Sequence, residues 1–230
     1  MKNWLIVTLL VITSFGVKAG NFDVEIDHFT GVLAMGNFKV TLKKGDVDKV
    51  EVINNDEDII DEKIVCEVEK DVLKLRLKGD TYKERDIEII VTYTDLSQIT
   101  SKLGCRLTVE GEMGVDEIEF NSESGGKIKA TVASKKVKAS ISAGGSIRLS
   151  GEVDEVEYKI SAGGTIGAVS LKANEVKAQV TAGGEIICSV KSVLAIKITS
   201  GGNVAYIGDP EGYEQNITLG GKITKMKNPE

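Results

Sequence analysis

The chain has 230 residues, of which 41% are hydrophobic and 28% charged, and its formal net charge is −6. This acidic balance disfavours nucleic acids and anionic membrane surfaces as partners. Three cysteines far apart in the sequence, Cys66, Cys105 and Cys188, are not the dense disulfide framework of a small secreted domain, so packing must supply the stability.

Residues 1–19 are predicted to form a secretory signal peptide. Lys2 provides a positive start, residues 5–12 are apolar apart from Thr8, and small residues precede Gly20. About ten apolar residues fall short of the roughly 20 that span a membrane, so we expect cleavage, with no transmembrane segment afterwards. The mature chain is then exported, to the periplasm, to the outer membrane or to the cell exterior.

Residues 20–101 have the pattern of successive β-strands. Alternating apolar and polar residues predict strands at 38–42, 47–53, 63–68, 72–77 and 86–93, with one short helical turn within 56–62. We expect this part to form the first coils of a larger β-structure and to cover one end of it, because an open end exposes unpaired strand backbone.

Glycine pairs recur through residues 102–230 at spacings of 19, 19, 20, 18 and 19 residues. The six pairs are Gly125-Gly126, Gly144-Gly145, Gly163-Gly164, Gly183-Gly184, Gly201-Gly202 and Gly220-Gly221. The residue three places after the first glycine is apolar in every pair, and alternating apolar residues precede nearly every pair. This period predicts a repeat whose units bury their apolar sides against one another, in one domain that is continuous with residues 20–101.

The glycine pairs could close hairpins or form corners. A two-residue hairpin at Gly163-Gly164 would place Ile160 opposite Gly167, which brings the apolar faces of the two strands into conflict. A three-residue loop would pair Ile160 with Ile166, so stacked antiparallel hairpins stay the alternative. The near-constant period favours an all-β, single-stranded parallel β-helix with coils of about 19 residues, whose corners use glycine because it accepts positive φ.

Catalytic chemistry has little support in the sequence. The single histidine, His28, has no nucleophile motif to work with, and the histidine and cysteines lack the short spacing of a zinc site. Cys66 and Cys188 share the parity of inward apolar residues and are predicted core residues, whereas the pattern does not place Cys105. We expect no catalytic residue, no metal and no cofactor.

Acidic residues provide the one candidate surface site. Segments 115–120 and 153–158 are nearly identical and lie two coils apart, with lysines in the coil between them. Stacking would alternate Asp116, Glu117 and Glu119 with Lys135, Lys136 and Lys138, and these with Asp154, Glu155 and Glu157. The alternation favours charge compensation over calcium binding or an acid pair; a polysaccharide-cleaving activity would have to use Asp154, Glu155 and Glu157.

Aromatic side chains that could stack on sugars are scarce. The only tryptophan, Trp4, belongs to the predicted signal peptide. Three tyrosines have the parity of inward residues, and they are Tyr158, Tyr206 and Tyr213. Tyr82 and Tyr93 are the exposed candidates that are left, which disfavours a lectin groove built on aromatic faces.

A series of short motifs follows one order along the chain. They are Phe29-Thr30-Gly31-Val32, a Lys43-Lys44-Gly45 turn after Val40-Thr41-Leu42, Thr94-Asp95-Leu96 before Leu103-Gly104, the small-Gly-Gly-x-Ile units, and Val204-Ala205-Tyr206-Ile207-Gly208-Asp209-Pro210. In this order they resemble the secreted bacterial family described as "putative auto-transporter adhesin, head GIN domain", over residues 22–225. The chain departs from that family in using Ala-Gly-Gly or Ser-Gly-Gly for Ser-Gly-Ser-Gly, and Asp95 for a common proline. The resemblance implies a β-helical envelope protein with no assigned activity.

Export and the lack of a catalytic constellation predict a non-enzymatic module of the cell envelope or surface, an adhesin or scaffold whose partner is a protein or a glycan. The alternative is an envelope enzyme that acts on polysaccharide. Self-association is a further option, although Lys225, Lys227 and Pro229 place charge and a missing backbone donor near the last edge, which disfavours filaments.

Overall fold

A computed structural model describes residues 20–79 and 82–227, so the predicted signal peptide lies outside the described residues. Within them the only helix is one 3₁₀ turn, Asp61–Lys63. The strands are β1 (Asn21–Val24), β2 (Gly31–Met35), β3 (Lys39–Lys44), β4 (Lys49–Asn54), β5 (Ile64–Glu69), β6 (Val72–Leu77), β7 (Ile87–Tyr93), β8 (Gln98–Lys102), β9 (Arg106–Glu123), β10 (Lys127–Ser142), β11 (Ser146–Ala162), β12 (Thr165–Ala182), β13 (Glu185–Ser200), β14 (Asn203–Ile207), β15 (Gly212–Ile217) and β16 (Lys222–Lys225).

The repeat region is a parallel β-solenoid, and the whole molecule has about seven turns. Each long strand from β10 to β13 makes one coil and pairs in parallel with the next, so that Ile128 lies beside Ile147 and Ile147 beside Ile166. The predicted β-helix is therefore confirmed, and the hairpin alternative is wrong, because hairpins would place consecutive strands antiparallel.

Each coil has two walls. The residues that follow a glycine pair form one wall, here called the post-glycine wall, and the residues that precede the next pair form the other, the pre-glycine wall. Between the walls lies a continuous core of stacked side chains; Ile147 and Ile166 are fully buried from the first wall, and Ile160 from the second. Stacking of like residues follows from the constant period, since each coil places the same position above its predecessor.

The N-terminal strands close one end of the solenoid. In space, the coil of β2 and β3 lies between the coil of β6 and β7 and that of β8 and β9, which is not their order in the sequence. Outside them, β4 runs antiparallel to β7, β1 antiparallel to β4, and β5 antiparallel to β6. The five predicted N-terminal strands are confirmed with bounds shifted by at most two residues, whereas β1, β2 and β8 were not predicted.

The glycine pairs lie in the turns between the long strands, and eleven of their twelve residues have positive φ. Gly164 needs to be glycine for two reasons. Its φ is +102°, and an added Cβ would lie 2.8 Å from Ile141 Cγ2 and 2.9 Å from the Gly145 carbonyl oxygen. Gly163, with φ of +68°, has nothing within 4 Å of such a Cβ. The second glycine thus permits close stacking of coils, and the first only a left-handed turn.

The residues of inward parity in the last coil were expected to be buried, and they are not. Tyr213 is 44% exposed and Ile217 is 42% exposed, because no further coil covers them among the described residues. Tyr93, predicted as an exposed aromatic, is buried in β7, while Tyr82 is 75% exposed. Of the cysteines, Cys188 is buried as predicted, Cys105 is buried too, and Cys66 is only partly covered because β5 is an edge strand.

Candidate functional site

A groove of about 700 Å³ crosses the coils at their second corner, where the post-glycine wall turns into the pre-glycine wall. We call it the corner groove. It is lined by Ala133, Ser134, Glu152, Val153, Asp154, Lys172, Ala173, Asn174, Ser189, Val190, Lys191, Ile207 and Gly208. These residues come from five successive coils, so the groove runs along the solenoid axis.

The groove exists because neighbouring coils differ in length. Ala168 pairs with Cys188, and Glu175 pairs with Val193. Between these two pairs β12 advances by seven residues and β13 by only five. The longer path of β12 forms a bulge at the corner, opposite the shorter path of β13. Ser189 Oγ lies 2.6 Å from the Val169 carbonyl oxygen and donates a hydrogen bond to the bulge.

The floor of the groove is apolar and its rim is polar. Val153, Ala173 and Val190 are at most 5% exposed and close the core beneath it. On the rim, Asn174 Nδ2 donates to Asp154 Oδ1 at 3.0 Å, and Lys172 Nζ lies 3.5 Å from Glu152 Oε1.

The rim carries charged side chains whose formal charges sum to zero. Its ionic side chains are two carboxylates and two ammonium groups, namely Glu152, Asp154, Lys172 and Lys191. Glu152 and Lys172 are 75% and 81% exposed, which makes their pairing weak. Lys191 is exposed, and among the described residues it has no ion-pair partner.

The structure separates the three acidic residues that the sequence groups. Asp154 is on the rim of the corner groove, while Glu155 and Glu157 lie on the outer surface of the pre-glycine wall, in register with Lys136 and Lys138. Across the next coil, Lys138 Nζ lies 2.7 Å from Glu117 Oε1.

These lysines and carboxylates form the alternating ladder that the spacing predicts. The hydrogen bond to Glu117 raises the pKa of Lys138 and lowers that of Glu117. Within residues 20–79 and 82–227 there is no cluster of three or more histidine, cysteine or acidic side chains that could hold a metal ion.

His28 has a structural partner. Its Nδ1 lies 2.7 Å from Asp48 Oδ2, and the Thr94 backbone N–H donates to Asp48 Oδ1 at 2.7 Å. Burial alone would raise the pKa of Asp48, but the hydrogen bonds from His28 and Thr94 outweigh it and hold the pKa below its ordinary value. No serine or cysteine side chain bonds His28 in the described part of the chain.

The three thiols are unsuited to nucleophilic chemistry. Burial raises the pKa of Cys66, of Cys105 and of Cys188 to about 12. Since the thiolate is the reactive form, these cysteines are inert core and edge residues.

Sequence reasoning missed Lys172, Asn174 and Lys191, which supply much of the polar rim. The signal was present in the glycine spacings, where a 20-residue unit is followed by an 18-residue unit. A pair of neighbouring repeats that differ by two residues must differ in path somewhere along the coil, and here the difference falls at the second corner.

The family model described as "Putative auto-transporter adhesin, head GIN domain" matches residues 28–210. The chain belongs to this family. The match covers strands β2 to β14, which include all the strands that line the corner groove. The resemblance drawn from the short motifs is thereby confirmed.

Solved structures share the fold. A crystal structure described as a putative adhesin from Bacteroides fragilis superposes with a TM-score of 0.82 at 18% identity, covering 92% of this chain and 100% of that one. One described as a putative lipid binding protein from Parabacteroides distasonis gives 0.73 at 18% identity, covering 92% and 98%. A putative adhesin from Parabacteroides merdae gives 0.69 at 17% identity, covering 92% and 97%. Curated proteins gave no match in sequence.

No helix in the described residues is both long enough and apolar enough to cross a membrane.

Proposed function

We propose that the protein is an exported, non-enzymatic binding module of the cell envelope or cell surface, and that the corner groove holds a segment of a glycan chain. The observation that carries the proposal is the groove itself, an open channel of about 700 Å³ with an apolar floor and a neutral polar rim. Its family and the structures named as putative adhesins support a binding role.

The rim chemistry favours a polyhydroxylated ligand. Asp154 offers a carboxylate acceptor, Asn174 offers an amide that donates and accepts, and Lys191 offers an ammonium donor. A sugar hydroxyl both donates and accepts, so it can use all three groups. Neighbouring coils lie about 4.8 Å apart, which repeats such groups along the groove at a short, regular interval.

An acyl chain fits this site less well. The P. distasonis structure is named as a putative lipid binding protein, yet here the groove is open and its rim is charged. The space between the walls is filled by buried side chains such as Ile147, Ile166 and Ile186, which are 0% exposed. Ligand pockets that take apolar molecules bury most of the ligand surface, which an open channel does not.

The absence of aromatic residues from the groove lining predicts modest affinity for a single site. Sugar binding then relies on hydrogen bonds, each of which contributes about 0.5–1.5 kcal/mol net in proteins. Loss of three polar rim groups should therefore weaken binding by about tenfold or more.

The test is an array of bacterial capsular polysaccharides, lipopolysaccharides, free lipid A and mucin-type glycans, probed with the chain that starts at Gly20. We expect at least one glycan to be retained, and the triple variant Asp154→Ala, Asn174→Ala, Lys191→Ala to lose it. A matched triple variant, Asp46→Ala, Asn203→Ala, Lys159→Ala, removes the same residue types from exposed positions outside the groove. It should bind normally.

Three results would contradict the proposal. Retention of free lipid A alone would point to a lipid ligand. Equal loss of binding in both triple variants would move the site away from the groove. Release of new reducing ends from a retained glycan would show an enzyme instead of a binding module.

A further inference from the structure

The C-terminal end of the solenoid differs from the N-terminal end. The last coil consists of β15, which pairs only with β13, and β16, which pairs only with β14, within the described residues. Its core-facing side chains are uncovered, with Tyr213 44% and Ile217 42% exposed, and Leu219 beyond them 72% exposed. This end therefore presents both an apolar surface and an open strand edge.

The hydrogen bonds of the preceding coils show which backbone groups that edge offers. Glu119, whose side chain is on the outer surface, donates its N–H to Ser97 of the coil before it, and Thr218 donates to Ile198 in the same way. Backbone direction alternates along a strand, so the residues between point the other way. In β15 the N–H and C=O groups of Tyr213, Gln215 and Ile217 thus face the open edge.

These three residues are self-complementary. In an antiparallel pair of two β15 strands centred on Gln215, each Tyr213 lies opposite Ile217 of the second copy, and the two Gln215 residues lie opposite each other. All of these positions are hydrogen-bonded ones, since their backbone groups face the partner strand. On the outer face the same register sets Glu214 opposite Asn216, which avoids the Glu214–Glu214 contact that a centre one residue earlier would create.

Charge at this end also permits a second copy of the chain. The sequence from 209 to 230 has four acidic residues, Asp209, Glu211, Glu214 and Glu230, and three lysines, Lys222, Lys225 and Lys227. Lys225 forms an ion pair with Asp209. The chain as a whole has a net charge of −6, but the side chains of this segment sum to only −1, so repulsion between two such ends is small.

We propose that two copies of the protein associate through their C-terminal ends, with the two β15 strands paired antiparallel about a two-fold axis at Gln215. Such an interface is isologous and closes at two copies. The other end of each copy is covered by the antiparallel strands β1, β4 and β5. Because the two copies are related by the two-fold axis, the dimer carries one corner groove on each side of it. The interface does not depend on what the groove binds.

The first test is sedimentation velocity of the chain from Gly20 over a hundredfold range of concentration. We expect a monomer–dimer equilibrium with no larger species. Gln215→Pro removes the backbone N–H at the centre of the proposed strand pair. The hydrogen bonds between β15 and β13 are kept, because the Gln215 N–H faces the open edge. That variant should sediment as a monomer with an unchanged far-ultraviolet circular dichroism spectrum.

A second test fixes the register through a disulfide. Opposed residues of a hydrogen-bonded antiparallel pair have Cα atoms about 5.5 Å apart, within the range that a disulfide spans. Gln215→Cys should therefore cross-link two copies under mild oxidation. In the control, Asn216→Cys, the two introduced thiols would be about 8 Å apart between Cα atoms and should not cross-link.

A wild-type protein that stays monomeric at every concentration would overturn the proposal, as would polymers larger than two copies. Cross-linking of Asn216→Cys in place of Gln215→Cys would reject the register. A folded Gln215→Pro variant that remains a dimer would show that the copies meet elsewhere.

Discussion

Replacing Tyr158 by phenylalanine should stabilise the protein. Tyr158 is 0% exposed in β11, and no hydrogen-bond partner for its hydroxyl lies among the described residues. Burial, and then the neighbouring Cys188, raise the pKa of Tyr158 far above its ordinary value, so the hydroxyl stays protonated. It is a donor enclosed in an apolar core, flanked on its own wall by Ala139 and Ala178.

The magnitude follows from the cost of that enclosure. An unpaired buried polar group costs about 1–3 kcal/mol of desolvation, which phenylalanine does not incur. The loss of one oxygen leaves a small void and reduces the gain, so we expect Tyr158→Phe to raise the free energy of unfolding by about 1 kcal/mol. For a domain of this size that corresponds to a rise in Tm of roughly 2–4 °C.

The assay is urea unfolding followed by circular dichroism, with thermal unfolding as a second measurement. The midpoint should rise while the slope with urea stays unchanged, since the surface exposed on unfolding is the same. Tyr93→Phe is the matched control. Tyr93 is also buried, but its hydroxyl, unlike that of Tyr158, is not a buried polar group without a hydrogen-bond partner, so this variant should gain no stability. A destabilised Tyr158→Phe would refute the reasoning, because it would mean that the hydroxyl has a partner such as a buried water.

Three further predictions concern the corners and the surface charges. Gly163→Ala should cost about 1–2 kcal/mol for the left-handed turn alone, whereas Gly164→Ala should cost about 2–4 kcal/mol because its Cβ also collides with the coil beneath; urea unfolding separates the two. Asp48→Asn should lower stability near neutral pH, and the difference from wild type should shrink as pH falls below about 4, since a lowered pKa in the folded state stabilises only while the carboxylate is ionised. Lys138→Glu should destabilise the protein more than Lys159→Glu, because it breaks the ion pair with Glu117 and leaves a run of acidic side chains, and high salt should reduce the difference.

Each of these has a result that contradicts it. Equal costs at Gly163 and Gly164 would mean that coil spacing adapts to a methyl group. A difference between Asp48→Asn and wild type that grows on acidification would reverse the sign of the pKa argument. A salt-independent effect of Lys138→Glu would assign its role to packing and not to charge.

The fold could be predicted from the sequence because the solenoid repeats one local rule. A constant period places Ile147 below Ile166, and a register argument at Gly163-Gly164 separates corners from hairpins. The spatial order of the N-terminal coils could not be predicted in this way, since β2 and β6 are both ordinary strands and only long-range pairing sets β2 inside β6. The last coil deviates for a similar reason, because parity gives the direction of Tyr213 but not whether anything covers it.

Part of the candidate site could be predicted from the sequence. The acidic column led to Asp154, which is on the groove rim, but it also led to Glu155 and Glu157, which belong to a compensated ladder on the adjacent wall. Lys172 and Lys191 come from coils without an acidic motif. Both line the groove where β12 and β13 differ in length, and that difference is a property of two neighbouring repeats and not of any single one.

The most direct test of the account is a hydrogen–deuterium exchange footprint of the chain from Gly20 with a glycan that the array retains. Ligand should slow exchange at the second corner of the coils, in residues 133–134, 152–154, 172–174 and 189–191. The glycine-pair corners should exchange at the same rate with and without ligand. Protection confined to the glycine corners, or to the C-terminal coil, would contradict the assignment of the corner groove as the binding site.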